Sequence, residues 1–196
     1  MTFKSLIAAF AIASVVAFAA IAESTTVPGW FMAGSKPDSY QMGVDPSGGP
    51  NREPAAYLRA KGTSTEGFGT MMQQFAADDF RGKRVRLSAD VRAESLRKWA
   101  GLWMRVDGEP GRTLAFDNMG KRPIMGTTGW TRHEIVLDVA PEAKLIALGV
   151  LMTDAGALWL GNVKFEVVGD AVPVTAKTPS TDSLPKTPRN LGFGES

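Results

Sequence analysis

The chain predicts an all-β sandwich or barrel, and three observations carry that expectation. Between residues 23 and 170 the apolar residues recur in short runs split by Gly, Pro, Asp and Asn, the spacing of many short strands. Where a run is long enough to show a period, the period is two. In 84–91, Val85, Leu87, Ala89 and Val91 fall on one side, and Arg84, Arg86, Ser88 and Asp90 on the other. Beyond the N-terminal apolar run, no segment carries three turns of helical apolar spacing. One dry and one wet face per strand is what two packed antiparallel layers require.

The N-terminus stands apart from that pattern. After Lys4, an apolar run from Leu6 to Ala22 is interrupted only by Ser14 and ends in Ala20-Ile21-Ala22, the small-x-small pattern of a secretory cleavage site. Residues 1–22 are therefore read as a signal peptide, with the mature chain starting at Glu23 in the periplasm or the medium. An uncleaved anchor is the competing reading. It is disfavoured because the run falls short of the ~20 apolar residues of a span and no basic stop follows.

The 196 residues contain no cysteine, which removes disulfides, thiolate metal sites and thiol nucleophiles together. An exported chain without disulfides depends on its hydrophobic core, and residues 23–170 are long enough to bury one. Net charge is +2, falling to +1 once Lys4 leaves with the signal, so charge supplies no reason to expect a nucleic-acid partner. The basic stretch Arg81, Lys83, Arg84 and Arg86 reads as a solvated turn entering a strand, with attraction to anionic envelope polymers as its alternative.

Taken in order, "GWFMAG" opens the first strand at Trp30. The runs at 54–61, 67–75, 83–93, 98–107, 112–119, 131–139, 144–152 and 157–168 supply the remaining strands. "AADDFRG" at 76–82 reads as a turn or a single helical turn. From Ala171 to Ser196 the chain carries four of its 12 prolines, many Ser and Thr and few large apolar residues, so the domain is expected to end at 170 with a disordered tail.

The segment "GLWMRVD" sets up the candidate site. Leu102, Met104 and Val106 share the core side, and Trp103, Arg105 and Asp107 the wet side. On the following strand Asp117 and Asn118 place one polar group on each face. The adjacent Gln73 and Gln74 put one amide on the wet face in either register, and Gln73 is the candidate retained. Trp30, at the start of the first strand, is added as an aromatic candidate. A patch of tryptophan, guanidinium, carboxylate and amide on one sheet face suits a polyhydroxylated ligand, which stacks its C–H faces on aromatics. The same residues also fit a structural cluster, with Arg105 stacked on Trp103 and paired with a carboxylate. Trp159, between Leu158 and Leu160, reads as packing, and Trp130 as closing one end of the sandwich.

The order of motifs narrows the fold. "GWFMAG", "AAYLRAK" and "MMQQFAADDFRGKRVRLSADVRA" resemble the jelly-roll modules of the galactose-binding-like superfold, including carbohydrate-binding modules, and "LWLGNVKFEVV" is similar to their last strand. The chain from about Gly29 to Val168 also resembles a family of uncharacterised bacterial domains. Its members carry "GWF.AGS", "GVD", "EGFGTMMQQF", "GLWMRVDG", "AFDNM" and "GTT.W" in this order, alone or attached to transcriptional regulators. The resemblance implies a jelly-roll β-sandwich and no particular ligand. The Asp-Asp pair common in the last strand of sugar-binding relatives is Gly161-Asn162 here, so any structural calcium tied to that pair is lost.

Catalysis has little to stand on. His133 is the only histidine, it shares the inward parity of Ile135 and Leu137, and no G-x-S-x-G elbow or dinucleotide loop is present. No calcium loop of the D-x-[DN]-x-[DN]-G kind occurs and no cofactor is expected, while a structural calcium held by scattered carbonyls and one carboxylate stays an open alternative for which the sequence selects no ligands. The chain thus reads as a non-catalytic exported binding module for a carbohydrate or other polar small molecule. The alternative is an envelope interaction or structural module that meets another polypeptide through the same face.

Overall fold

The computed structural model describes residues 25–64 and 66–176, so the expected leader at 1–22 and residues 177–196 of the tail lie outside the described residues. Nine strands follow in order: β1 (Phe31–Gly34), β2 (Tyr40–Asp45), β3 (Ala55–Ala60), β4 (Phe68–Ala76), β5 (Arg84–Asp107), β6 (Thr113–Asp117), β7 (Ile124–Asp138), β8 (Leu145–Thr153) and β9 (Ala157–Val168). The helical segments among the described residues are three-residue 3-10 turns at Pro37–Ser39, Pro50–Arg52 and Asp78–Phe80. The last of these fills the turn expected at 76–82.

Strand β5 organises the sandwich. Over 24 residues it first lies between β7 and β9, then continues between β6 and β8. One leaf therefore runs β1-β4-β8-β5-β6, and the other β7-β5-β9-β3-β2. The passage from leaf to leaf occupies 91–100, where the pairing with β7 shifts register three times and Ser95 takes a positive φ of 53°. Sequence patterning expected two strands here, 83–93 and 98–107. The bulged segment between them keeps enough pairing to remain a single strand.

The alternation expected in β5 holds on both leaves. Val85, Leu87, Ala89 and Val91 face Leu102, Met104 and Val106 across one core that also takes in Met71, Ile146, Leu148, Val150, Leu58 and Leu158. Two strands depart from the sequence reading. β2 was not anticipated, since "YQMGVD" carries Gly and Asp, yet it pairs along its full length with β3 and buries Tyr40, whose hydroxyl donates to the Asp154 carbonyl at 3.2 Å. β7 starts at Ile124 rather than near 131, because the bulged part of β5 offers it partners as far as Ala100.

The boundary drawn at 170 also moves. The Arg84 guanidinium donates to the carbonyls of Asp170 and Val172, both at 2.7 Å. The Thr175 N–H donates to the Val136 carbonyl at 3.0 Å, and the Val136 N–H returns a 2.9 Å bond to the Thr175 hydroxyl. Ala176 packs on the core. The physical reason is that β7 is an edge strand, so the outward N–H and C=O of Val136 need a partner that composition alone does not reveal. Ending the chain at Gly169 is expected to lower unfolding free energy by about 2–3 kcal/mol, from the loss of several hydrogen bonds. Urea unfolding measures it, and an unchanged midpoint would show that the segment contributes nothing.

Candidate functional site

On the outer face of the first leaf, Trp103, Arg105 and Asp107 share one side of β5 as the alternation requires. Trp103, however, is only 6 % exposed. Its direct partner on β8 is Gly149, and Gly149 in turn pairs with Met72 on β4. With no side chain there to lift it, the indole crosses β8 between Ala147 and Leu151, and its Nε1–H donates to the Thr70 hydroxyl on β4 at 2.8 Å. The Thr70 hydroxyl in turn donates a hydrogen bond to the Val150 carbonyl at 2.9 Å. The solvated tryptophan platform expected from the sequence is thus corrected: Trp103 is the packed floor of this face, bridging three strands.

Arg105 does not stack on that indole. Its Nε donates to Asp107 at 2.7 Å, and Thr113 donates to the other oxygen of Asp107 at 3.1 Å, so the pair ties β5 to β6. The amide on this face is Gln74. Gln73, the candidate chosen, pairs with the inward-facing Leu148 and lies on the other side. Trp30 is also elsewhere: half-buried against the core, it lines a separate cavity with Val27, Val44 and Asn162. The large side chains that this face does expose are phenylalanines. Phe31 pairs with Met72, Phe68 shares the parity of Thr70, and Phe116 pairs with Arg105.

Phe116 leads to a cavity of about 570 Å³ at the β6 edge, lined also by Asp117, Asn118, Gly120, Lys121, Arg122, Thr175 and Ala176. Sequence reasoning named Asp117 and Asn118, and the structure brings them together here, next to Arg105 but away from Trp103. Asp117 is the anchor. It pairs with Met104, so its carboxylate turns toward the interior at the sheet edge and is 8 % exposed. It accepts from the Met119 N–H at 2.8 Å and from Arg122 Nη2 at 2.8 Å, while Arg122 also donates to the Glu134 carbonyl at 2.9 Å. Burial by itself would raise this carboxyl, but bonds from Thr175, Arg122 and the Met119 N–H outweigh it and hold the group below the usual carboxylate range. Asn118 accepts from the Gly120 N–H at 3.1 Å through its oxygen, so its NH₂ can turn to a ligand. Phe116 and Arg122 were missed because their relation to Arg105 and Asp117 depends on the β5–β6 register and on the turn after β6.

His133 sits opposite Ala89, half-buried on the inward side as its parity predicts. Burial first, then the charge of Arg122, pushes its imidazole below the ordinary value. Among the described residues no cluster of three or more His, Cys, Asp or Glu could hold a metal ion.

No family model matches the chain. Over 168 residues, 85% of this chain, it is 40% identical to an uncharacterized HTH-type transcriptional regulator of Bacillus subtilis (strain 168), YbfP. The chain spans only 57% of that relative's length. Among solved structures, the CBM22-1 xylan-binding domain of Paenibacillus barcinonensis Xyn10C superposes with a TM-score of 0.53 at 18% identity, covering 74% of this chain and 90% of that one. The CBM22-1 and GH10 modules of Clostridium thermocellum Xyn10B superpose at 0.53 and 12% identity, covering 76% of this chain and 28% of theirs. The enzymatically active domain of tailspike protein 4 from bacteriophage CBA120 gives 0.54 at 14% identity, over 74% of this chain and 20% of that one. At such identities the likeness speaks for the fold: the chain is a jelly-roll β-sandwich of the galactose-binding-like kind.

Two expectations follow from the site. Trp103→Ala should cost about 3–5 kcal/mol, as aromatic-to-alanine changes at packed positions do, and Trp103→Phe clearly less. Denaturant unfolding of the two variants decides, and a cost below about 1 kcal/mol for alanine would return Trp103 to the solvent-facing role. Because the carboxyl of Asp117 is depressed in the folded chain, its contribution is complete above the unfolded value of about 3.9 and fades as pH falls through the folded one. Thermal midpoints of the native protein should therefore drop below about pH 4 more steeply than those of Asp117→Asn, which should be less stable at neutral pH.

Proposed function

We propose that the protein is a non-catalytic binding module of the exported compartment, and that its ligand is a carbohydrate or another small hydroxylated molecule held at the β6 edge of the first leaf. One observation carries the reading: the cavity beside Phe116, where a ring 45 % exposed adjoins the Asn118 amide and the Arg122 guanidinium, itself held by Asp117. Its volume of about 570 Å³ lies within the range of small-ligand sites. An exposed aromatic ring supplies the stacking face, and the flanking amide and guanidinium supply directional bonds to hydroxyls. Arg105, beside Phe116 on β5, extends the polar rim.

Two further facts bear on a binding role. The fold is shared with a domain described as xylan-binding. The match to the Bacillus regulator covers 85% of this chain, and the described residues hold only three-residue helical turns beside the strands.

A glycan array with the native protein, followed by calorimetry on the strongest hit, tests this reading. Phe116→Ala should weaken binding roughly tenfold, ~1.4 kcal/mol, and leave the thermal midpoint nearly unchanged. An array blank across neutral, acidic and cell-wall sugars would overturn the carbohydrate reading and favour a polypeptide meeting the exposed Phe31 and Phe68.

A further inference from the structure

The outer face of the second leaf carries a feature that the site above does not use. Tyr57 on β3 pairs with Trp159 on β9, and Trp159 pairs with Arg92 on β5, so three side chains lie in one row across three strands. The Arg92 guanidinium carbon sits 4.0 Å from the Trp159 ring centroid and 5.9 Å from that of Trp130, placing it between two indoles. Arg59 lies 4.0 Å from the Tyr57 centroid and 5.8 Å from that of Trp159. Trp159 is 7 % exposed.

Two details separate this ladder from ordinary surface pairing. Among the described residues no carboxylate reaches Arg92, although the leaf carries acids. Asp90, on the same strand and face, is taken by Asn162 at 2.7 Å and Arg132 at 3.3 Å. The Nε of Arg92 and the Nε1 of Trp159 are shut off from solvent with no hydrogen-bond partner. A guanidinium clamped flat by aromatic rings loses little further freedom when its outer nitrogens bind a carboxylate through two parallel bonds.

The next row supplies room. Arg59 pairs with Ala157, and Ala157 pairs with Glu94. The small Ala157 leaves a cavity of about 340 Å³ lined by Arg59, Glu94, Ser95, Gly156, Ala157 and Trp159. Two strand spacings set the backbones of Arg59 and Glu94 about 10 Å apart, enough for one sugar ring.

We propose that this face is a second ligand site, and that it takes a carboxylate-bearing sugar unit. The ring lies over Ala157 beside the exposed edge of Trp159, hydroxyls bond Glu94 and Ser95, and the carboxylate reaches Arg92, one row along from the cavity. Glu94 on the same rim repels a second negative charge, which favours a monoanionic carboxylate over a dianionic phosphate. The site is on the opposite leaf from Phe116 and does not depend on the reading made for that edge.

Calorimetry on the full chain with oligogalacturonate, neutral galacto-oligosaccharide and acetate tests the proposal. Oligogalacturonate should bind. The neutral oligomer should bind at least tenfold more weakly to this site, read in Phe116→Ala protein, where binding at the other edge is weakened about tenfold, and confirmed by its insensitivity to Arg92→Gln. Acetate alone should bind too weakly to measure. Arg92→Gln should reduce oligogalacturonate affinity at least tenfold. Glu94→Gln, an exposed change that leaves the aromatic ladder intact, should raise it, because the repelling charge goes while the amide still bonds hydroxyls, which keeps the test valid if Arg92→Gln unfolds. Equal affinity for acidic and neutral oligomers, no binding of oligogalacturonate, or affinity unmoved by either substitution would each overturn the proposal.

Discussion

The shared strand β5 is the constraint on which the rest of this sandwich depends. A strand 24 residues long has to satisfy its N–H and C=O groups on both edges, and β5 does so with different neighbours in each half. Its inward side chains line both walls of one core. Because the two leaves are segments of one strand, their separation and twist are coupled through 91–100, where the ladder with β7 slips register and Ser95 goes to positive φ. A chain without disulfides gains from this arrangement a covalent link between the two leaves at the centre of the fold.

Once the leaves are set, the outer faces follow a common device. Large indoles reach across the sheet to positions where another strand carries glycine. Trp103 crosses β8 at Gly149, and Trp130 reaches to within 3.8 Å of the position a Cβ on Gly161 would take. A side chain at either glycine would collide: at Gly149 with the backbone of Met71 and Met72, and at Gly161 with Pro50. These tryptophans therefore act across strands rather than toward solvent. The exposed aromatic area shifts to phenylalanines at the edges, which is why Phe116 rather than Trp103 borders the cavity beside β6.

The charged groups sort by their exposure. Pairs such as Arg112–Glu142 at 3.4 Å are largely solvated, and contacts of that kind contribute little. Asp117 differs because its carboxylate is buried and fully bonded, so it holds the turn after β6 in place and fixes the guanidinium that faces the cavity. Arg92 is the converse case, a cation stacked on aromatics without an acidic partner among the described residues. The first is part of the scaffold, and the second is available chemistry.

Period-two alternation in 84–91 and 101–107, with glycine and proline between runs, was enough to determine an all-β sandwich, its inward residues and the outward side of Trp103 and Arg105. These are properties of a single strand, and a strand's pleat assigns them without reference to its neighbours. The motif order resembling a jelly-roll family pointed to the topology. Register between strands was not legible, and the site depends on register. Whether Gln73 or Gln74 faces out with Trp103, whether Phe116 lies beside Arg105, and whether an indole meets glycine or a bulky partner are all decided by which residues pair across strands distant in sequence. The docking of 169–176 was hidden for the same reason: only the assembled sheet shows that the Val136 edge needs a partner. Tertiary structure thus decided which aromatics are buried, which are exposed and which cations lack a partner, because burial belongs to the assembled face and not to any one strand.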